Sequence, residues 1–332
     1  MTRCDTAELG SSVKQWSVQF ASTLVVALSL AVGHACAGDE KVATRPGVVY
    51  AEHDGNRLMG DLYLPKKRIH TPVLVAFHGG GWRAGNRAFY RHWGSFLAAN
   101  GYALFTIDYR LGKPGHYPAA VYDAKAAIQF MRARAAELDI DPDRIGLMGD
   151  SAGGYLAALL ALAGDRFTAA YRDDPNAVQS IDVKSVVGFY GIYDMLAQWN
   201  HDTLAEQKQE VLAQKNNDRI PRPIASITED FLGVSPTQDR RIYAESSPIS
   251  YVGNARKQTR FLLINGSRDN LVDPQTQSGA FSSALTQAGF FVRRIVIPGA
   301  GHFWVSDPFE HEPRSFAGMV APSLLRFLEG SL

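Results

Sequence analysis

The chain has 332 residues, 46% of them hydrophobic, which is enough for a full interior and too much for a disordered or fibrous chain. Its 34 basic and 33 acidic residues nearly cancel, so no broad field favours nucleic acid or an anionic membrane surface as a partner. Both cysteines, Cys4 and Cys36, lie in the first 37 residues, which leaves the remainder without a disulfide, thiol nucleophile or cysteine-bound metal.

Arg3 and Lys14 precede an apolar stretch, Phe20–Val32, that leads to Ala35-Cys36-Ala37. This order reads as an export signal over residues 1–37, cut after Ala37 at an A-x-A site. A retained anchor is the competing reading, but about thirteen apolar residues are short of the roughly 20 that span a bilayer. Lipoprotein processing at Cys36 is disfavoured because Gly33 stands where a large aliphatic residue is usual. The expected location is periplasmic or secreted, with no stable membrane insertion after cleavage.

In the remaining residues, 38–332, Gly47–Tyr50 and Leu58–Leu64 look like a hairpin about Asp54-Gly55-Asn56. Pro72–Phe77 is a continuous apolar run of the buried-strand type and ends at His78-Gly79-Gly80-Gly81-Trp82. A helix near Phe89–Ala99 precedes the strand Tyr102–Ile107, and an Ala-rich helix is expected from Pro118 to Leu138, before a turn at Asp141-Pro142-Asp143. The strand Arg144–Met148 leads through Gly149-Asp150-Ser151-Ala152-Gly153 into the helix-like Tyr155–Leu160. Further strands are expected at Lys184–Tyr190, Arg260–Asn265 and Phe291–Ile297, before a closing helix from about Pro313 to Leu328. Strands alternating with helices in this way predict an α/β fold, with a mostly parallel sheet covered on both faces. Residues 195–250 break the alternation. They are polar, with a short helical pattern only at Thr203–Ala213, and are too long for a plain connection. A lid inserted over the strand ends is the favoured reading, and a surface excursion the other.

G-x-S-x-G between a strand and a helix is a nucleophile elbow, in which glycines permit a sharp turn that lifts the serine hydroxyl clear of the sheet. Ser151 is therefore the candidate nucleophile. A serine hydroxyl needs a base within reach and a carboxylate to orient it, and a doubly wound hydrolase supplies them in the order Ser, acid, His, each at the carboxyl end of a strand. Asp269, in Gly266-Ser-Arg-Asp269, is the expected acid and His302, in Gly299-Ala-Gly-His302, the expected base. Asp273 is the competing acid, with a helix N-cap as its alternative role. The N–H groups of Gly80, Gly81 and Ala152 are the expected oxyanion hole. His78 is read as a brace for its loop, Asp150 as a support for the elbow, and Asp108 with Arg110 as a buried pair. Trp82 and Trp304 flank the two loops as walls for the acyl or alcohol group, with core packing as the equal alternative. His116, His201 and His311 have no partner at metal-ligand spacing and there is no H-E-x-x-H, so no metal is expected.

His78-Gly-Gly-Gly-Trp82, Asp108-Tyr-Arg110, Gly149-Asp-Ser-Ala-Gly-Gly154, Gly266-Ser-Arg-Asp269 and Gly301-His302 together resemble the α/β-hydrolase carboxylesterases, over roughly residues 47–330. The likeness is nearest to the branch of bifunctional feruloyl and acetylxylan esterases and arylformamidases, and broader to the hormone-sensitive-lipase-like group. That group usually carries a helical cap before its first strands, where this chain has about forty strand-like residues between Ala37 and His78. The resemblance implies an α/β-hydrolase fold with a lid insertion, a Ser151–His302–Asp269 triad and no cofactor. The substrate class is a small-molecule or polysaccharide-linked ester; the particular ester and the oligomeric state stay open. Two other readings share the fold: a peptidase of the prolyl-oligopeptidase type, and a binding protein that has lost catalysis.

Overall fold

Every residue of the apolar run Thr71–Phe77 is buried, and its side chains alternate between two separate cores. Val73, Val75 and Phe77 face one cluster while Leu74 and Ala76 face the other, as the period of two in a strand requires. A computed structural model describes residues 41–332 apart from 54, 68, 168–173, 216–225, 254, 256 and 310–314, with backbone only for 210–215. These residues belong to the unit Asp39–Leu332; the expected leader lies outside them, as do Cys4, Cys36 and His311.

The sheet has eight strands: β1 (Val42–His53), β2 (Asn56–Pro65), β3 (Thr71–Phe77), β4 (Ala103–Ile107), β5 (Ile140–Asp150), β6 (Ser185–Phe189), β7 (Arg260–Gly266) and β8 (Val292–Ile297). Their spatial order is β1-β2-β4-β3-β5-β6-β7-β8. Strands β3 to β8 run parallel, and the hairpin β1–β2 joins antiparallel beside β4. This is the mostly parallel, helix-covered α/β arrangement expected from the alternation, and it agrees with the α/β-hydrolase fold that the resemblance implied. One face is covered by α2 (Ala119–Ala133), α4 (Ala152–Ala163) and α8 (Ala280–Gln287); the other by α1 (Arg91–Ala99) and α9 (Phe316–Ser331). The order reverses between β3 and β5, the switch point where open α/β sheets place their ligands.

Three elements differ from expectation. The Ala-rich helix breaks at Arg134 (φ −95°, ψ 9°) into α2 and a single turn, α3 (Ala135–Leu138), closed by Asp139 in a left-handed conformation. The turn at Asp141–Asp143 is taken into β5: the pairing with β3 slips between Thr71 and Val73, and Asp141 Oδ1 accepts the Asp143 N–H at 2.9 Å. The short helix in the polar insertion is a long one, α5 (Met195–Lys215), followed by α6 (Ile227–Leu232) and α7 (Arg240–Ser246). Its inner face escapes hydrophobic periodicity because part of it is polar. Gln198 is fully buried and its Nε2 donates to Asp202 Oδ1 and to the Leu271 carbonyl, both at 2.8 Å, so hydrogen bonds satisfy its buried N–H groups.

Candidate active site

Parallel pairing brings the C-terminal ends of β3, β5, β7 and β8 to one edge of the sheet, and each carries one of the glycine-containing loops. At the end of β5, Ser151 takes φ 52° and ψ −119°, a combination that non-glycine residues rarely adopt. Two glycines make the bend possible by close approach: a Cβ on Gly149 would overlap the Gly153 carbonyl, and one on Gly153 would overlap the Phe77 carbonyl at the end of β3. The elbow is thus packed backbone to backbone against the neighbouring strand end. The Ser151 N–H is held by the Phe189 carbonyl at 2.9 Å.

The three residues named from the loops meet. His302 Nδ1 lies 2.7 Å from Asp269 Oδ2 and its Nε2 lies 3.1 Å from Ser151 Oγ. With the Nδ1 proton directed at the carboxylate, Nε2 is left to accept the serine hydroxyl. Asp269 Oδ1 accepts the N–H groups of Leu271 and Val272, each at 3.0 Å, which sets the carboxylate plane. The side chains of His302 and Asp269 are almost wholly removed from solvent. Asp273 stands apart. Its Oδ1 accepts the Thr276 N–H at 2.7 Å, the Thr276 hydroxyl at 2.8 Å and the Gln275 N–H at 3.2 Å, the work of a cap. Partial burial raises its pKa, but these hydrogen bonds outweigh that and leave it below the usual carboxylate value.

The loop after β3 is held open by glycine. Gly80 and Gly81 have φ of 112° and 61°, and a Cβ on Gly80 would overlap the Ala84 carbonyl. The Gly79 N–H is taken by Asp150 Oδ1 at 2.9 Å, whereas those of Gly80 and Gly81 have no acceptor among the described residues. The Ala152 N–H, in the first turn of α4, has no intrahelical acceptor either. Asp150 also accepts the Tyr90 hydroxyl at 3.0 Å, and burial pushes its pKa up to about 6 against the opposing pull of these two donors. His78 is buried and stacked on Tyr109 at 4.4 Å, with Nδ1 2.7 Å from the Gly79 carbonyl; burial lowers its pKa, so it stays neutral as a brace.

Several expectations are corrected by packing. Trp82 is 1% exposed, stacked on Phe231 of α6 at 4.2 Å and edge-on to Tyr155 of α4. Trp304 is 2% exposed among Phe189, Tyr190 and Phe316. Neither lines the cavity, because burial removes the large apolar area of an indole from water. Asp108 and Arg110 do not pair with each other. Arg110 Nη2 meets Asp123 Oδ1 at 2.7 Å and its Nε meets Oδ2 at 2.8 Å, while Asp108 takes the Arg87 guanidinium. Both lie past the end of β4 at Ile107, and each takes the partner that packing brings to it, Asp123 of α2 for Arg110 and Arg87 for Asp108.

A cavity of about 580 Å3 opens on Ser151 and His302, within the range of small-molecule sites. One wall is the polar insertion, through His201, Asp202 and Ile227; the others include Phe89, Leu271 and Phe303. Sequence reasoning missed these residues. Phe303 was within reach of it, being next in the chain to the base, while Phe89 and His201 carry no local signal. Among the described residues no three His, Cys, Asp or Glu side chains are grouped to hold a metal ion, and no helix is long and apolar enough to cross a membrane.

An elbow, a Ser–His–Asp contact and a glycine loop on this sheet define an α/β hydrolase. The chain belongs to the BD-FAE family, whose model matches residues 60–285. It is 32% identical over 238 residues to esterase LipC of Mycobacterium tuberculosis, covering 70% of this chain and 53% of LipC. The chain spans about half the length of the curated relatives it matches. Its fold matches that of a thermophilic esterase from Thermogutta terrifontis, with a TM-score of 0.65 and 23% identity over 88% of this chain and 92% of that one. It also matches a carbohydrate esterase from gut microbiota, with a TM-score of 0.65 and 23% identity over 87% and 96%.

Proposed function

We propose that the chain is a carboxylesterase-type serine hydrolase, with Ser151 as nucleophile, His302 as base and Asp269 as the acid that orients it. The observation that carries this is the unbroken contact from Ser151 Oγ through His302 to Asp269, at 3.1 and 2.7 Å, opening on a cavity. Ser151 Oγ bonds to the ester carbonyl carbon as its proton passes to His302 Nε2. The N–H groups of Gly80, Gly81 and Ala152 receive the tetrahedral oxyanion, each such donor contributing about 3–4 kcal/mol to the transition state. The C–O bond to the alcohol then breaks and the alcohol departs with the proton from His302. Water, deprotonated by the same histidine, attacks the acyl-serine and frees the acid. The substrate is a small or polysaccharide-linked ester, and the motifs favour the feruloyl and acetylxylan esterase and arylformamidase branch.

The test is Ser151→Ala against p-nitrophenyl acetate and a fluorophosphonate probe. Turnover and labelling both vanish while the thermal melt is kept; turnover by the pure variant would overturn the assignment. We also propose that residues 1–37 direct export and are removed. Mass analysis of the periplasm and medium then finds a chain beginning at Gly38, and an intact chain held in the cytoplasm contradicts this.

A further inference from the structure

Around the triad, Trp304, Tyr190 and Phe189 are buried, but Phe303, directly after the base, is 64% exposed. Its backbone sits at φ 62°, a left-handed value unfavourable for a bulky residue, of the kind that recurs at functional sites. Its ring stands edge-on to His302, with centroids 4.6 Å apart and planes at 86°. It lines the cavity, as does Leu271, itself 45% exposed. An exposed phenylalanine and an exposed leucine in the lining of one cavity offer apolar surface to a bound group.

The chemistry decides which part of an ester reaches that surface, and the argument rests on the esterase reading above. The carbonyl oxygen goes to the Gly80, Gly81 and Ala152 N–H groups, and the leaving oxygen must accept its proton from His302 Nε2. The alcohol therefore lies on the His302 side, where Phe303 stands. We infer that Phe303 is a specificity-determining residue of the alcohol subsite, favouring alcohols that carry an aromatic ring close to the ester oxygen. Edge or offset contact between the two rings supplies the preference, and the ring shields the leaving oxygen from water as it is protonated.

Benzyl acetate and methyl phenylacetate test this, being isomers with one phenyl ring, on the alcohol in the first and on the acyl group in the second. In Phe303→Ala the ratio of kcat/KM for benzyl acetate over methyl phenylacetate falls about tenfold from the wild-type value. Phe303→Gly, which accepts the left-handed backbone freely, shows the same fall and guards against loss of folding. Phe303→Tyr keeps the ratio within about threefold of wild type, since the ring remains. An unchanged or higher ratio in the alanine and glycine variants overturns the inference; both esters slowed alike would mean that the ring only supports His302. Fluorophosphonate labelling separates the two levels. A wild-type chain that is neither labelled nor active on either ester overturns the esterase reading itself, whereas a labelled chain with an unchanged ratio overturns only the alcohol subsite.

Discussion

Asp150 is a carboxyl group buried beside the nucleophile, and its two donors do not offset the loss of water: its pKa stands at about 6 where 3.8 is ordinary. The sign follows from linkage. The folded chain holds this proton more tightly than the unfolded one, so the stabilisation is complete below pH 3.8 and is lost as pH rises through about 6. Asp150→Asn keeps an acceptor for Gly79 and Tyr90 without the titration. Denaturant unfolding at pH 5 and pH 8 is expected to show wild type losing about 1 kcal/mol relative to the variant, and a constant difference would disprove the link. The two acids after β7 separate equally well. Asp269→Asn disturbs the histidine tautomer and lowers kcat by about 10⁴-fold. Asp273→Ala removes a cap, at about 1 kcal/mol of stability, and leaves the steady-state rate on p-nitrophenyl acetate within about threefold, since a cap acts on folding rather than on the transition state. Similar rates for the two variants would remove the acid assignment.

Between elements, buried polar and aromatic pairs do the joining. Arg110, just past β4, grips Asp123 in the middle of α2, and the Asp123 carboxylate is fully buried. Asp123→Ala removes the buried carboxylate that faces this guanidinium and is expected to cost about 3–5 kcal/mol in equilibrium unfolding. By contrast, the exposed Arg134–Glu137 pair contributes under about 1 kcal/mol, so equal losses in the two cases would argue against burial as the cause. The stack of Trp82 on Phe231 joins the loop after β3 to the inserted segment through α6. Phe231→Ala therefore costs about 3–5 kcal/mol, and its activity on p-nitrophenyl acetate falls with the wall that α6 helps to place. A variant with full stability and full activity would show that the stack holds nothing.

Across the whole molecule, one sheet separates two cores, and β3 serves both from alternate side chains. Leu74→Ala and Val75→Ala are expected to lower the same cooperative transition, Leu74→Ala by about 2–5 kcal/mol and the smaller Val75 deletion by less; two separate transitions would show that the faces unfold independently. Most of this architecture was legible in the chain, because a period of two, continuous apolar runs and glycine loops are local and survive without tertiary information. The order of the three loops after β5, β7 and β8 was legible for the same reason, and Ser151, Asp269 and His302 stand in contact. What the sequence by itself determined is therefore the fold class and the chemical character of the site, since both are written in strand periodicity and in which residue follows which strand. Only the tertiary structure decided which aromatic rings are buried and which is exposed, with whom Asp108 and Arg110 pair, and that a polar helix, α5, walls the cavity. Those outcomes depend on distances between residues far apart in the chain, as Trp82 is from Phe231 and Gln198 from Leu271, and no local pattern encodes such distances.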